Sequence, residues 1–126
     1  MSNKKKKILI LTNHSYMLYR FRKELIEELM KNNEVILSMP FVGHHEDFMN
    51  MGLHCIETKM ERRGINPFTD LSLINFYKKM LKEEKPDLVI TYSIKPNIYG
   101  GLMCSKLKIP FYANVQGLGT AFQTKG

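Results

Sequence analysis

The stretch Ile8–Leu29, which reads ILILTNHSYMLYRFRKELIEEL, decides the fold class. Its first part, Ile8–Thr12, is a short apolar run without internal alternation, which is typical of a strand covered on both faces. Its second part carries large apolar residues at helical spacing, namely Leu18, Phe21, Leu25 and Leu29. A buried strand that leads directly into an amphipathic helix indicates a parallel α/β sheet.

The same alternation of strand and helix patterns continues along the chain. Further strands are expected at Glu34–Met39, Leu53–Thr58, Leu88–Tyr92 and Ile109–Val115. Helices are expected at His44–Met51, from Asp70 as N-cap to about Glu84, and from Pro96 onward. Because the connections are short, we predict one domain over residues 1–126, with a Rossmann-like parallel sheet of about five strands in the order 3-2-1-4-5.

Packing expectations follow from the same patterns. The mixed polarity of Leu53–Thr58 predicts an edge strand, and the Gly100-Gly101 pair predicts close packing of a helix against the sheet. Residues expected to point inward from that last helix are Ile98, Leu102, Met103 and Leu107. No helix pattern follows the fifth strand, so we expect an incomplete domain.

The charge of the chain favours an anionic partner. The 126 residues include 19 Lys and Arg against 12 Asp and Glu, a formal net charge of +7. Such a balance suits a nucleic acid, an acidic lipid surface or a phosphate-bearing ligand. No motif interleaves aromatic and basic residues, so we expect no nucleic acid partner.

Cysteines and histidines give no sign of a disulfide or a metal. Cys55 and Cys104 form no CxxC pair, so we expect buried thiols in a reducing cytoplasm. The four histidines lack HExxH or other ligand spacing, so we expect no metal site. No apolar run approaches the roughly 20 residues that cross a bilayer.

Chemically unusual residues follow each of the apolar runs. In an open parallel sheet the carboxyl ends of the strands meet at one edge, where α/β domains bind their ligands. The candidate binding residues at this edge are Asn13, His14, Tyr16, Arg62, Arg63, Asn66, Lys95, Asn97, Gly117 and Gly119. We assign no catalytic role to any of them.

The basic candidates carry most of the chemical information. Arg62 and Arg63 are adjacent guanidiniums, which suit a phosphate or a carboxylate, although a solvated basic turn is equally compatible. Lys95 precedes Pro96 at a helix N-terminus, where an unpaired cation would be unfavourable, so we expect it to meet a negative partner. The first strand-to-helix loop lacks GxGxxG, and we expect no cofactor.

Four segments together resemble the N-terminal half of bacterial family-four glycosyltransferases. They are NHSYMLYRFRKELIEEL (Asn13–Leu29), ERRGINPFTDL (Glu61–Leu71), TYSIKPNIYGGL (Thr91–Leu102) and NVQGLGTAF (Asn114–Phe122). The resemblance is greatest to enzymes of capsular, exopolysaccharide and lipid-linked oligosaccharide assembly. Many relatives carry a functional histidine after the fifth strand, where this chain reads Val115-Gln116-Gly117, so we carry over no histidine role.

The resemblance implies the N-terminal domain of a retaining GT-B glycosyltransferase. Such an enzyme would move a sugar, for example N-acetylhexosamine, from a nucleotide-sugar to a lipid-diphosphate-linked acceptor. The N-terminal domain would hold the acceptor, with Arg62, Arg63 and Lys95 toward its phosphates. The donor-binding domain has no counterpart here, so we expect this chain alone to be inactive. Its expected location is cytoplasmic, peripheral on the anionic inner face of the cell membrane.

A second interpretation stays open at this point. A non-catalytic α/β module that binds an anionic ligand or a partner subunit would show the same alternation and the same basic charge. Enzymes assembled from two separate chains would lie between the two interpretations.

Overall fold

Five parallel strands form one sheet in the part of the chain that the structure describes. This computed structural model describes residues 6–13, 15–41, 45–58 and 67–114, with the backbone alone for 15–18 and 20–22. The strands are β1 (Lys6–Leu11), β2 (Asn33–Met39), β3 (His54–Glu57), β4 (Leu88–Tyr92) and β5 (Phe111–Asn114). The helices are α1 (Ser15–Asn32), α2 (His45–Asn50), α3 (Pro67–Glu84), a π-helix (Pro96–Gly100) and α4 (Gly101–Leu107).

The strand order is β3-β2-β1-β4-β5, and every neighbouring pair is parallel. Ile8 of β1 lies beside Val35 of β2 on one side and beside Leu88 of β4 on the other. The predicted sheet, its order and the edge position of the third strand are therefore confirmed.

Side chains of β1 alternate between two hydrophobic cores. Ile8 and Ile10 belong to a core that includes Ile26 of α1 and Phe48 of α2. Leu9 and Leu11 belong to a second core on the other face of the sheet, whose residues from α3 and α4 are Leu73, Tyr77, Met80, Leu81, Met103 and Cys104. Because successive residues of a strand point to opposite faces, an unbroken apolar run serves both cores at once.

Two helix faces differ from the prediction. On α1, Ile26 is buried and Leu25 is 44% exposed, because the buried face is centred one residue further along the chain. Beyond Pro96, Met103 and Cys104 point inward while Ile98 and Leu102 are exposed. The predicted set combined two sides of the helical run: Ile98 and Leu102 share one side, Met103 and Leu107 share another, and only the second side packs on the core, as predicted for Met103 and Leu107.

Helix α3 begins at Pro67 rather than at an Asp70 N-cap, so that prediction was wrong. Proline is favoured in the first turn of a helix because its missing N–H costs nothing there. Asp70 therefore lies inside the first turn, where its carboxylate is buried. The inward face of α3 follows regular helical spacing, with Leu73, Tyr77, Met80 and Leu81 buried.

Both cysteines are free thiols. Cys104 is buried and Cys55 is half-buried, and burial raises the pKa of each thiol to about 11. Buried thiols with a raised pKa are structural rather than reactive.

The predicted close packing at the glycine pair is confirmed. A Cβ on Gly100 would lie 2.6 Å from Cδ1 of Leu11 and 3.4 Å from Cγ2 of Thr91. A Cβ on Gly101 would lie 2.9 Å from the ring of Phe111, which is partly exposed and has room to move. Leu11 has no such room because it is wholly buried.

We expect Gly100→Ala to lower the free energy of unfolding by about 1–2 kcal/mol, because overpacking against Leu11 outweighs the better helix propensity of alanine. The matched control, Gly101→Ala, should be close to neutral because the ring of Phe111 can shift. Urea unfolding of the two variants measures the difference. Equal stabilities would contradict this account of the packing.

Candidate functional site

Because all five strands are parallel, their carboxyl ends lie along one edge of the sheet. The described residues directly after the strands include Thr12, Asn13, Thr58 and Ser93. This carboxyl edge is where ligand sites of open α/β domains lie.

On the β2–β3 side of this edge, short polar residues are bonded to one another. The hydroxyls of Ser38 and Thr58 share a buried hydrogen bond. The backbone N–H of Thr58 donates to the carbonyl of Met39 at 2.8 Å, and that of Thr12 donates to the carbonyl of Ser38 at 3.0 Å. These bonds fix the start of the loops that follow β1 and β3.

On the β4–β5 side, Asn97 joins two strands to the π-helix. Its Oδ1 accepts a hydrogen bond from the Thr91 hydroxyl at 2.6 Å, and its Nδ2 donates to the carbonyl of Asn114 at 2.7 Å. Nδ2 of Asn114 donates to the carbonyl of Thr91 at 3.4 Å. Asn97 therefore holds the carboxyl end of β5 in place.

The turn that leaves β4 carries unusual backbone geometry. Ser93 has a φ of 82°, which non-glycine residues seldom adopt, and the π-helix begins three residues later. Both features cost conformational energy and cluster at functional sites of proteins. They support a ligand-binding role for the carboxyl edge.

Asp70, Lys95 and Tyr99 form a charged cluster between α3 and the π-helix. The ammonium of Lys95 donates to Oδ1 of Asp70 at 2.8 Å, and the hydroxyl of Tyr99 donates to Oδ2 at 3.0 Å. The side chains of Lys95 and Asp70 are only 12% and 8% exposed. One carboxylate thus connects the first turn of α3 to two positions of the next helical segment.

The cluster shifts the titration of two of its members. The hydrogen bond from Lys95 holds the pKa of the Asp70 carboxyl below its usual value, against the opposing effect of burial. Hydrogen bonding to the Asp70 carboxylate raises the pKa of the Tyr99 phenol, since a phenolate could no longer donate. At neutral pH the cluster contains a carboxylate and a neutral phenol.

This geometry corrects the expectation that the charge of Lys95 requires a bound anion. Lys95 does have the negative partner that its place before Pro96 predicts, but that partner is Asp70 of the same chain. Whether Lys95 also reaches an acceptor phosphate stays a prediction.

Metal ligands do not gather in the described part of the chain. None of its His, Cys, Asp and Glu side chains form a group of three or more that could hold an ion. Among the same residues, no helix combines the length and apolarity needed to cross a bilayer.

The chain matches a known protein family over nearly its whole length. The sequence profile of the family described as "Glycosyl transferase 4-like" matches residues 7–126. The chain belongs to this family. The predicted resemblance is therefore confirmed.

One curated relative aligns with most of this chain. It is N,N'-diacetylbacillosaminyl-diphospho-undecaprenol alpha-1,3-N-acetylgalactosaminyltransferase of Campylobacter jejuni, 29% identical over 122 residues. The aligned region covers 95% of this chain and 32% of the relative. The chain thus spans about a third of the relative's length.

Solved structures agree with the fold. A glycosyltransferase from Rickettsia africae superposes with a TM-score of 0.67 at 21% identity, covering 97% of this chain and 33% of that one. MurG of Acinetobacter baumannii superposes with a TM-score of 0.64 at 16% identity, covering 86% of this chain and 35% of that one. The predicted fold, that of a Rossmann-like GT-B domain, is confirmed.

The structure brings some of the predicted site residues together. Asn13, Lys95 and Asn97 lie at the carboxyl edge, and Tyr16 is on the first turn of α1, where only the backbone is described. The remaining candidates lie outside the described residues: His14, Arg62, Arg63, Asn66, Gly117 and Gly119. Their roles stay predictions.

Sequence reasoning missed four polar residues of this edge, namely Asp70, Thr91, Tyr99 and Asn114. Pro67 was the available signal for Asp70, because a helix that starts there places Asp70 in its buried first turn. No local pattern indicates that Asp70 pairs with Lys95, which is 25 residues away.

We expect Asp70→Asn to destabilise the protein at neutral pH, because it removes the carboxylate that pairs with Lys95. A folded-state pKa below the unfolded value of about 3.9 stabilises the fold above that value. The stabilisation is lost as the pH falls through the lower, folded-state pKa. The stability difference between wild type and Asp70→Asn should thus be constant from pH 5 to 7 and shrink below pH 4, as urea unfolding can measure. A difference independent of pH would refute the assignment.

Proposed function

We propose that this chain is the acceptor-binding half of a retaining glycosyltransferase. The enzyme would transfer a sugar, of the N-acetylhexosamine type, from a nucleotide-sugar to a lipid-diphosphate-linked acceptor in surface polysaccharide biosynthesis. The observation that carries the proposal is the family match over residues 7–126, together with the similarity to a transferase named for a diphospho-undecaprenol-linked sugar. Activity, substrates and partners would belong to a whole protein of the relatives' length.

The geometry of the carboxyl edge supports a binding role. Strained backbone at Ser93, the adjacent π-helix and the polar network around Asn97 lie where open α/β domains receive ligands. Asn13 and Tyr16 of the first strand-to-helix connection would border the same region, and we place the acceptor there.

Arg62 and Arg63 are the residues that we assign to the acceptor diphosphate. Guanidiniums bind phosphate oxygens through two parallel N–H donors, which gives strength and orientation. Lys95 is a weaker candidate for the same anion, because Asp70 already neutralises it. His14, Asn66 and the glycines Gly117 and Gly119 complete the proposed cleft by sequence alone.

In the sugar-transfer reaction, negative charge develops on the donor and not on the acceptor. As the sugar leaves, negative charge develops on the departing nucleotide diphosphate, and stabilising that charge is a large electrostatic term. In this proposal the acceptor half supplies position: it holds the acceptor hydroxyl near the sugar and shields it from water. No metal or other cofactor is part of the proposal.

Partners and location follow from the acceptor. A lipid-linked acceptor lies in a membrane, and a formal charge of +7 would attract the chain to an anionic membrane surface. We propose a cytoplasmic protein, peripheral on the inner face of the cell membrane.

Binding of the acceptor without the donor is the expected result for this chain. Calorimetry would compare a soluble, short-chain polyprenyl-diphosphate N-acetylhexosamine with a uridine-diphosphate N-acetylhexosamine. Arg62→Ala and Arg63→Ala should each weaken acceptor binding about tenfold or more, because each removes a charge-assisted hydrogen bond.

Lys79→Ala and Lys82→Ala are the matched controls, since both remove an exposed cation from α3 outside its first turn. They should leave acceptor affinity unchanged. Binding of the nucleotide-sugar alone would contradict the acceptor assignment. Equal losses in all four variants would show general charge attraction, which favours the alternative of a non-catalytic module for anionic ligands.

A further inference from the structure

An open groove lies between the C-terminal ends of α3 and α4. Its volume is about 340 Å³, and its lining is apolar apart from two lysines: Leu81, Lys82, Lys85, Pro86, Leu107 and Ile109. Each of the two helices ends shortly before a strand begins, so the groove lies at the amino edge of the sheet, opposite the carboxyl edge. We call it the amino-edge groove.

Both walls of the groove are held in place by hydrogen-bonded helix ends. Lys85 and Lys108, which follow α3 and α4, have φ angles of 50° and 60°, the left-handed conformation that commonly ends a helix. The N–H of Lys85 donates to the carbonyl of Leu81 at 3.0 Å, and that of Ile109 donates to the carbonyl of Cys104 at 2.8 Å. A partner would therefore meet a preformed groove, and binding would not cost the ordering of its walls.

The charge of the amino-edge groove is positive. Lys82 and Lys85 are exposed, and within the described residues neither ammonium is paired with a carboxylate. Of the acids nearby in sequence, Glu84 pairs with the ammonium of Lys7 at 3.4 Å, and the carboxylate of Asp87 accepts a hydrogen bond from the backbone N–H of Lys7 at 2.8 Å. Lys7 thus engages both acids, and the residues that line the groove carry only positive charge.

The size and lining of the groove suit one side chain of a larger partner. Small-molecule sites enclose most of their ligand, whereas this groove is open to solvent. An apolar side chain that enters it would contact Leu107 and Ile109, and carboxylates beside that side chain would reach Lys82 and Lys85. The complementary partner is thus an acidic segment that carries an exposed apolar residue.

Other occupants fit the groove less well. A second copy of this chain carries the same formal charge of +7 and would be repelled, whereas an acidic protein would be attracted. The described residues that line the groove include no aromatic side chain, so a nucleobase would find no ring on which to stack.

We propose that the amino-edge groove docks an acidic segment of a partner protein. An apolar side chain of that segment enters between α3 and α4, and its carboxylates bind Lys82 and Lys85. This inference goes beyond the proposed function and does not depend on it. Because the groove and the carboxyl edge lie at opposite ends of the strands, a docked partner leaves the carboxyl edge free.

Amide NMR spectra of the whole, isotope-labelled chain test the groove. The probe is a short peptide in which leucines alternate with glutamates. On titration, the shifts should concentrate on the amides of Leu81, Lys85, Leu107 and Ile109. The same peptide with lysines in place of its glutamates, or with serines in place of its leucines, should bind at least about tenfold more weakly, because each loses one half of the complementarity.

Charge-neutralising variants give a second measurement. The test variant is Lys82→Gln combined with Lys85→Gln. The matched control is Lys79→Gln combined with Lys106→Gln, which removes two exposed cations of α3 and α4 that do not line the groove. Both variants lower the net charge equally. The test variant should bind the leucine–glutamate peptide about tenfold or more weakly than wild type, and the control should match wild type.

Four results would overturn the proposal. The first two are an absence of shifts at the groove amides and an equal peptide affinity of the test and control variants. The third is a shift of the groove amides by short-chain phosphatidylglycerol but not by the peptide, which would assign the groove to lipid. The fourth is self-association of the free chain that the test variant abolishes, which would assign it to a second copy.

Thermal unfolding shows whether the variants fold, and Lys82→Gln alone replaces the double variant if that variant does not. No acceptor or nucleotide-sugar is present in these titrations. Docking of the peptide by a chain that fails to bind the acceptor would therefore leave this proposal standing while the proposed function fails.

Discussion

Burial of β1 on both faces is the constraint on which the rest of the structure depends. Ile8 and Ile10 need a cover from α1 and α2, while Leu9 and Leu11 need one from α3 and α4. A central strand with two apolar faces can be buried only if helices lie on both sides of the sheet, and parallel connections put them there. The side chain of Leu11 then sets how closely Gly100 approaches the sheet. The position of the π-helix that follows β4 thus depends on the packing of β1.

Asp70 adds a polar constraint to the apolar packing of β1. A nearly buried carboxylate is costly unless it is paired and hydrogen-bonded, and Asp70 receives both an ammonium and a phenol. The same bonds tie α3 to the segment that carries the strained Ser93. They also remove Lys95 from the set of free cations at the carboxyl edge. In the proposed enzyme, recognition of a diphosphate therefore depends more on Arg62 and Arg63 than the sequence argument assumed.

Most of the fold was predictable, while the site was predictable only in part. The runs at β1 and β4 are apolar without alternation, and β3 is mixed in polarity, so their central and edge positions follow from residue type. The face of α3 followed from its spacing, because that helix is regular along its length. The exposure of Ile98 and Leu102 was mispredicted because they lie on a different side of the helical run from Met103 and Leu107, and the choice of the buried side depends on tertiary packing. For Arg62, Arg63, Gly117 and Gly119 the sequence remains the basis of the assignment.

Sequence by itself determined the α/β class, the parallel sheet and the strand order. The reason is that apolar residues are spaced differently in strands and in helices, and this spacing can be recognised within each local segment. It also determined the family, through four segments spread along the chain. Only the tertiary structure decided that Lys95 meets Asp70 and that Asn97 holds β5. These features join residues far apart in the chain, and their formation depends on how α3 packs beside the π-helix. No local pattern of residue types specifies such a pairing.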